Sequence, residues 1–119
     1  MDEKIRNFKD LRVWQKGLEL VKEIYTITRD FPKEEQFGLT SQIRRAAVSI
    51  PSNIAEGFRR RYSREQKQFI NIALGSSAEL ETQLIIAREL NYLDIKKHDS
   101  LMEILDHICG MLVNMSKRI

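Results

Sequence analysis

The chain has 119 residues, 42% of them hydrophobic and 31% charged, with a formal net charge of +3. That length suits one domain around one core, and the scarcity of Gly (5) and Pro (2) excludes collagen-like, low-complexity and turn-rich β architectures. A lone cysteine excludes an internal disulfide; with Ile108, Met111 and Leu112 as neighbours, Cys109 reads as a buried thiol in a reducing compartment.

Residues 1–9 offer no apolar leader segment, and no stretch has the length of a membrane span, so a cytoplasmic protein with no membrane partner is expected. Leu11, Trp14, Leu18, Val21, Tyr25 and Thr28 recur at three- and four-residue steps, which predicts an amphipathic helix over residues 10–29, ended by Phe31-Pro32. Leu39, Ile43, Ala46, Ile50 and Ile54 mark a second helix that ends near Gly57. Pro51 lies inside it, removes one backbone hydrogen bond and crowds the carbonyl of Ala47, so this helix is expected to be kinked at Pro51. Ser63 and Gln66 form a capping-box pattern before a long third helix (Phe69, Ile70, Ala73, Leu80, Leu84, Ala87) that ends at about Asn91. Asp94 caps a fourth, whose face is Leu101, Leu105, Ile108 and Leu112. Four such helices with short links predict an all-α fold, an antiparallel up-and-down four-helix bundle, in a single domain spanning residues 1–119.

The apolar faces of two helices are wide. In the first, Val13, Leu20, Ile24, Ile27 and Phe31 form a second stripe, and the two stripes together cover roughly 200° of the circumference. The fourth helix adds Met102, Cys109 and Val113 on one side of its stripe and Ile104, Met111 and Met115 on the other. Apolar surface beyond the needs of one core points to a homo-oligomer, against the plainer reading of a thoroughly buried helix. Small residues at 73–78, Gly75 among them, imply that another helix comes close there, since mid-helix glycine costs about 1 kcal/mol relative to alanine.

Catalytic and metal-binding patterns are missing. Di-metal bundles need Glu-x-x-His on two helices, and none occurs. His98 and His107 stand four residues after Asp94 and Glu103, a spacing of ordinary helical charge pairing. Cys109 follows His107 by two residues and points about 200° away from it, which spoils a Cys-His couple. Glu56, Glu79 and Glu81 read as solvated or salt-bridged carboxylates. No enzyme, cofactor, metal or small-molecule substrate is therefore expected.

Charge is the remaining signal. Residues 44–67 hold seven basic side chains (Arg44, Arg45, Arg59, Arg60, Arg61, Arg64, Lys67) against two acidic ones (Glu56, Glu65), a local balance of +5 that leaves the rest at −2. Arg59, Arg60, Arg61 and Arg64, with Phe58 and Tyr62 between helices, suit phosphates and unpaired bases, so Arg44, Arg45, Arg59, Arg60, Arg61, Tyr62 and Arg64 are the candidate nucleic-acid-binding residues. The alternative is that these cations meet the C-terminal dipole of the second helix and are otherwise solvated. Arg44 and Arg45 lie about 100° apart around the axis, so at least one reaches a surface or a partner. The acidic third and fourth helices of a neighbouring subunit are another possible counter-charge.

The chain resembles the bacterial four-helix bundle proteins encoded by intervening sequences of 23S ribosomal RNA genes. The resemblance runs from Phe8 to Asp94. It rests on Phe8-Lys9-Asp10-Leu11-Arg12-Val13-Trp14-Gln15, on Phe31-Pro32-Lys33-Glu34-Glu35, on the block from Leu39 to Gly57 containing Gln42-Ile43-Arg44-Arg45-Ala46-Ala47, and on Gly75-Ser76-Ser77-Ala78-Glu79-Leu80-Glu81. A related branch is the accessory protein of diversity-generating retroelements, a homopentamer that binds reverse transcriptase and nucleic acid. The resemblance implies a ring-shaped pentamer, with RNA, a ribonucleoprotein or a reverse transcriptase as partner and no enzymatic activity.

Overall fold

The computed structural model describes residues 6–119, so the sequence reading of residues 1–5 lies outside the described residues. The protein is an all-α four-helix fold: α1 (Arg12–Thr28), α2 (Leu39–Phe58), α3 (Ser63–Glu89) and α4 (Ile95–Lys117), with short 3-10 turns at Phe8–Asp10 and Lys33–Glu35. The 27 residues of α3 span about 40 Å, so the helices lie lengthwise in a body of 49 × 24 × 20 Å. Helix α2 packs on α1 and α3, while α4 closes the ring against both α3 and α1. Contacts between neighbours pair rising with falling residue numbers: Gly17 faces Pro51 and Tyr25 meets Arg44 across α1 and α2, while Ser49 meets Ser76 and Gly57 faces Phe69 across α2 and α3.

One apolar core runs through all four helices, with Leu20, Ile24, Ile43, Ile50, Ile54, Leu80, Leu84, Leu105, Ile108 and Leu112 fully buried. Burying side chains of this size stabilises by about 1.5–3 kcal/mol each. In α1 the core face is the second of the two apolar stripes, with Val13, Leu20 and Ile24 buried. Leu11, Trp14 and Val21 of the first stripe only pack against its edge. The wide face of α4 is used in the same way, Met102, Ile104, Met111 and Met115 being partly buried against the core. Cys109 is half-buried rather than enclosed.

The helix ends show which local signals operate. Asp94 caps α4 as its sequence predicts, its side chain accepting from the Lys97 amide at 2.8 Å. The Ser63–Gln66 capping box does not form: Tyr62 is the cap residue and makes no side-chain bond. Gln66 instead donates from Nε2 to the Arg60 carbonyl at 2.9 Å, closing the α2–α3 turn. Helix α3 stops at Asn91, whose φ of 65° is left-handed. The amides of Asn91 and Tyr92 then reach back to the carbonyls of Arg88 and Ala87, the Schellman pattern that satisfies the last carbonyls of a helix. Tyr92 also donates from its phenol to Glu35 at 3.0 Å and meets the Phe31 ring at a tilt, 5.6 Å between centroids, tying the α3–α4 turn to the α1–α2 linker. That hydrogen bond to Glu35, with lesser help from burial and the acidic neighbours, raises the Tyr92 pKa above its ordinary value.

Helix α2 passes through Pro51 as one helix of 20 residues. The proline is buried and faces Gly17, where an added Cβ would lie 3.1 Å from Pro51 Cβ and 3.4 Å from its Cδ. Glycine at 17 therefore lets α1 settle against the proline ring. Gly75 is different, since nothing lies within 4 Å of a Cβ built there. The close approach inferred for residues 73–78 is made by its neighbour Ser76, whose hydroxyl is 2.8 Å from that of Ser49. Gly17→Val should cost about 1–3 kcal/mol by overpacking, whereas Gly110→Ala, in open space on α4, should add about 0.5–1 kcal/mol. Urea unfolding followed by circular dichroism measures both, and a destabilised Gly110→Ala or an unaffected Gly17→Val would contradict this packing.

Candidate nucleic-acid interface

The seven candidate residues fall into two groups along α2. Arg45, in α2, and Arg59, the residue that ends it, are fourteen residues apart, a separation of about 21 Å along the axis. Arg59, Arg60, Arg61, Tyr62 and Arg64 gather at the α2–α3 turn, while Arg44 and Arg45 sit in the first half of α2.

Arg44 is committed to the fold. It is half-buried, with its guanidinium 4.4 Å from the Tyr25 ring centroid. Its Nε donates to Thr28 Oγ1 at 2.9 Å, and the buried Thr28 hydroxyl donates onward to the Ile24 carbonyl at 2.7 Å. Arg45, the next residue, is exposed. It borders two depressions, one of about 570 Å³ with Tyr25, Phe37 and Arg44, the other of about 320 Å³ between α2 and α3 with Gln42, Ser49 and Glu79.

At the turn, two of the arginines lie over aromatic rings. Arg59 stands 5.3 Å from the Phe8 centroid, and Phe8 meets Trp14 edge-on at 5.4 Å. Arg60 stands 4.7 Å from the Phe69 centroid and 3.9 Å from a Glu56 carboxylate oxygen. The Phe69 contact follows from Gly57, where an added Cβ would fall 2.9 Å from Phe69 Cβ. Stacking on a ring leaves the rim of a guanidinium free to donate. Arg61, Tyr62 and Arg64 are exposed, Tyr62 by 61%. No ion pair engages Arg61 or Arg64 among the described residues.

The remaining polar groups are accounted for differently from their sequence spacing. His98 is buried and pairs with Asp99 at 3.2 Å rather than with Asp94, which is occupied as a cap. His98 Nε2 and Gln83 Oε1 are buried without a partner. Burial pushes the Cys109 thiol pKa up, partly offset by a hydrogen bond to Ser77, which works against thiolate reactivity. No group of three or more His, Cys, Asp or Glu is placed to hold a metal ion among the described residues. No described helix is long and apolar enough to cross a membrane.

Sequence periodicity overlooked Phe37, which is 92% exposed beside Arg44 and Arg45. It lies in the α1–α2 linker, where no helical stripe marks it. The available signal was an aromatic residue set between Gln36 and Gly38, just after the polar run Lys33-Glu34-Glu35-Gln36.

The two adjacent arginines should separate in a stability measurement. Arg44→Ala removes a stacked, hydrogen-bonded group and should cost about 1–2 kcal/mol, while Arg45→Ala should stay within about 0.5 kcal/mol of the parent. Equal effects in denaturant titrations would show that Arg44 is not part of the α1–α2 contact.

No curated protein matches the chain at a significant level. A crystal structure of a protein of unknown function, from the S23 ribosomal protein family of Bacteroides thetaiotaomicron, is similar with a TM-score of 0.79 at 25% identity, covering 88% of this chain and 98% of that one. The family described as 23S rRNA-intervening sequence protein matches residues 9–114. With nearly the whole helical body inside that match, the chain belongs to the 23S rRNA-intervening sequence protein family.

Proposed function

We propose that this is a non-enzymatic, self-assembling accessory protein of the cytoplasm that binds RNA or another nucleic acid through its basic surface. The observation that carries the reading is the turn between α2 and α3, where Arg61 and Arg64 flank exposed Tyr62 without an ion-pair partner among the described residues. Arg59 and Arg60 are held beside them by Phe8 and Phe69. Guanidinium forks and an accessible ring are the groups that phosphates and unpaired bases require.

Self-assembly is supported by α3. Its exposed apolar residues include Ile72 and Ile86, with Leu90 exposed at its C-terminal cap, and these lie with Gly75 and Glu79 within about 60° of one another around the axis. Gly75 costs helix stability and meets nothing within its own chain, as suits a place where a second copy comes close. The face therefore differs from the one expected on α1 and α4, whose apolar excess is largely taken up at the edge of the core. A homopentamer, and a ribonucleoprotein or reverse transcriptase as partner, follow from the family resemblance. A scaffold without a nucleic-acid ligand is the second reading, favoured by Glu79 beside Arg45, which marks acidic and basic groups that neighbouring subunits could share.

Salt separates the two. Single-stranded RNA should bind with an affinity that falls by about 0.7 log unit per phosphate contact for each log of salt. Arg61→Gln with Arg64→Gln should flatten that slope while leaving assembly intact. Should these substitutions dissociate the assembly, with no RNA retained by the parent, the scaffold reading replaces this one. Ile72→Glu with Ile86→Glu should reduce the particle to monomers in sedimentation equilibrium with helicity unchanged; an undiminished mass would remove α3 from the interface.

A further inference from the structure

Helix α2 keeps one strip uncovered by the bundle. Arg45, Val48, Ser52, Glu56 and Arg59 recur along it at three- and four-residue steps, and all five are exposed. Each end of the strip joins an arginine to an aromatic ring. At one end Arg59 rides over Phe8, with Tyr62 exposed just beyond. At the other, Arg45 borders the depression that holds Phe37, Tyr25 and Arg44 and has no acidic residue in its lining.

Phe37 is the most exposed large hydrophobic residue described, at 92%, and its position is fixed by its neighbours. The Gly38 amide donates to the Glu35 carbonyl at 3.0 Å, and the Leu39 amide to Glu35 Oε1 at 3.2 Å. The other carboxylate oxygen of Glu35 accepts from Tyr92. An open ring on so well-tied a turn gives a partner an apolar plane at little ordering cost. No carboxylate accompanies Arg44 and Arg45 in the depression at Phe37, Glu79 lying in the other depression that Arg45 borders, so the Phe37 side calls for an anionic partner, and a flat apolar plane calls for an aromatic one. Nucleobases carried on a phosphate chain supply both, provided the bases are unpaired.

The geometry points to the exposed strip of α2 as a single binding surface for single-stranded nucleic acid, with one base stacked on Phe37, phosphates at Arg45 and Arg59, and a second base at Tyr62. This rests on the nucleic-acid reading above and extends it by about 21 Å along α2, away from the turn. Glu56 is the one carboxylate on the strip, and Arg60 lies against it at 3.9 Å.

A labelled single-stranded RNA of about 12 nucleotides, within the usual range for such surfaces, tests it by fluorescence anisotropy at fixed salt. Phe37→Ala should weaken binding roughly 5- to 150-fold, the worth of one base–aromatic stack, with the salt slope unchanged, and Phe37→Trp should restore it. Arg45→Gln should lower the slope by about 0.7. A fully paired duplex should compete poorly. If the parent binds and Phe37→Ala binds equally well, this extension fails while the turn remains the binding site. If the parent binds no RNA, the reading it rests on fails with it. Loss of self-association in Phe37→Ala assigns the surface to a second copy and overturns the proposal.

Discussion

The arrangement of this protein depends on how closely α2 is gripped from both sides. Toward α1, glycine at position 17 admits the ring of Pro51. Toward α3, Gly57 admits Phe69, and Ser49 and Ser76 meet at 2.8 Å. Contacts this short leave a helix little freedom to roll, because cores have few discrete packings and tolerate little overfilling. The strip that α2 presents outward is therefore set by residues on its two flanks. Pro51 illustrates the trade: a residue that weakens a helix in isolation is kept where its compact ring fills the space a glycine opens.

The same grip divides the arginines. Arg44 lies on the α1 flank of α2, where a ring and a hydroxyl are within reach, and becomes part of the packing. Arg45 follows about 100° around the helix and remains exposed. At the α2–α3 turn, Gly57 brings Phe69 near, which positions Arg60, while the chain ahead of α1 brings Phe8 to Arg59. Aromatic residues thus fix some cations beside others that stay uncommitted.

Much of the architecture was legible in the sequence because long helices with strong apolar periodicity overdetermine their own existence. The Asp94 cap was legible for a local reason, as its donor lies three residues along the chain. The Ser63–Gln66 pattern failed because the Arg60 carbonyl offered Gln66 a competing bond across the turn, which no short motif encodes. Periodicity found both stripes of α1 but could not rank them, since burial depends on which neighbour each faces, and the tight meeting at Gly17 selects the side with Leu20 and Ile24. Gly75 lies in the segment that approaches α2 yet meets nothing in its own chain, because helical phase separates it from the buried Ser76 by a full 100°. The basic turn was visible as composition. Phe37 was not, because its significance lies in what fails to cover it.

The two proposed activities use different surfaces, and this bears on how they combine. The apolar face suited to self-association lies on α3, and the arginine-bearing strip lies on α2. Subunits joined through the first would not have to cover the second. Each added copy would then bring another strip within reach of one strand, and later contacts would form at the effective concentration set by the first. Weak stacking and phosphate contacts on one subunit would suffice when several act together. The small net charge of a single chain, +3 overall, is consistent with a protein whose hold on a polyanion is built by repetition rather than by one dense basic surface.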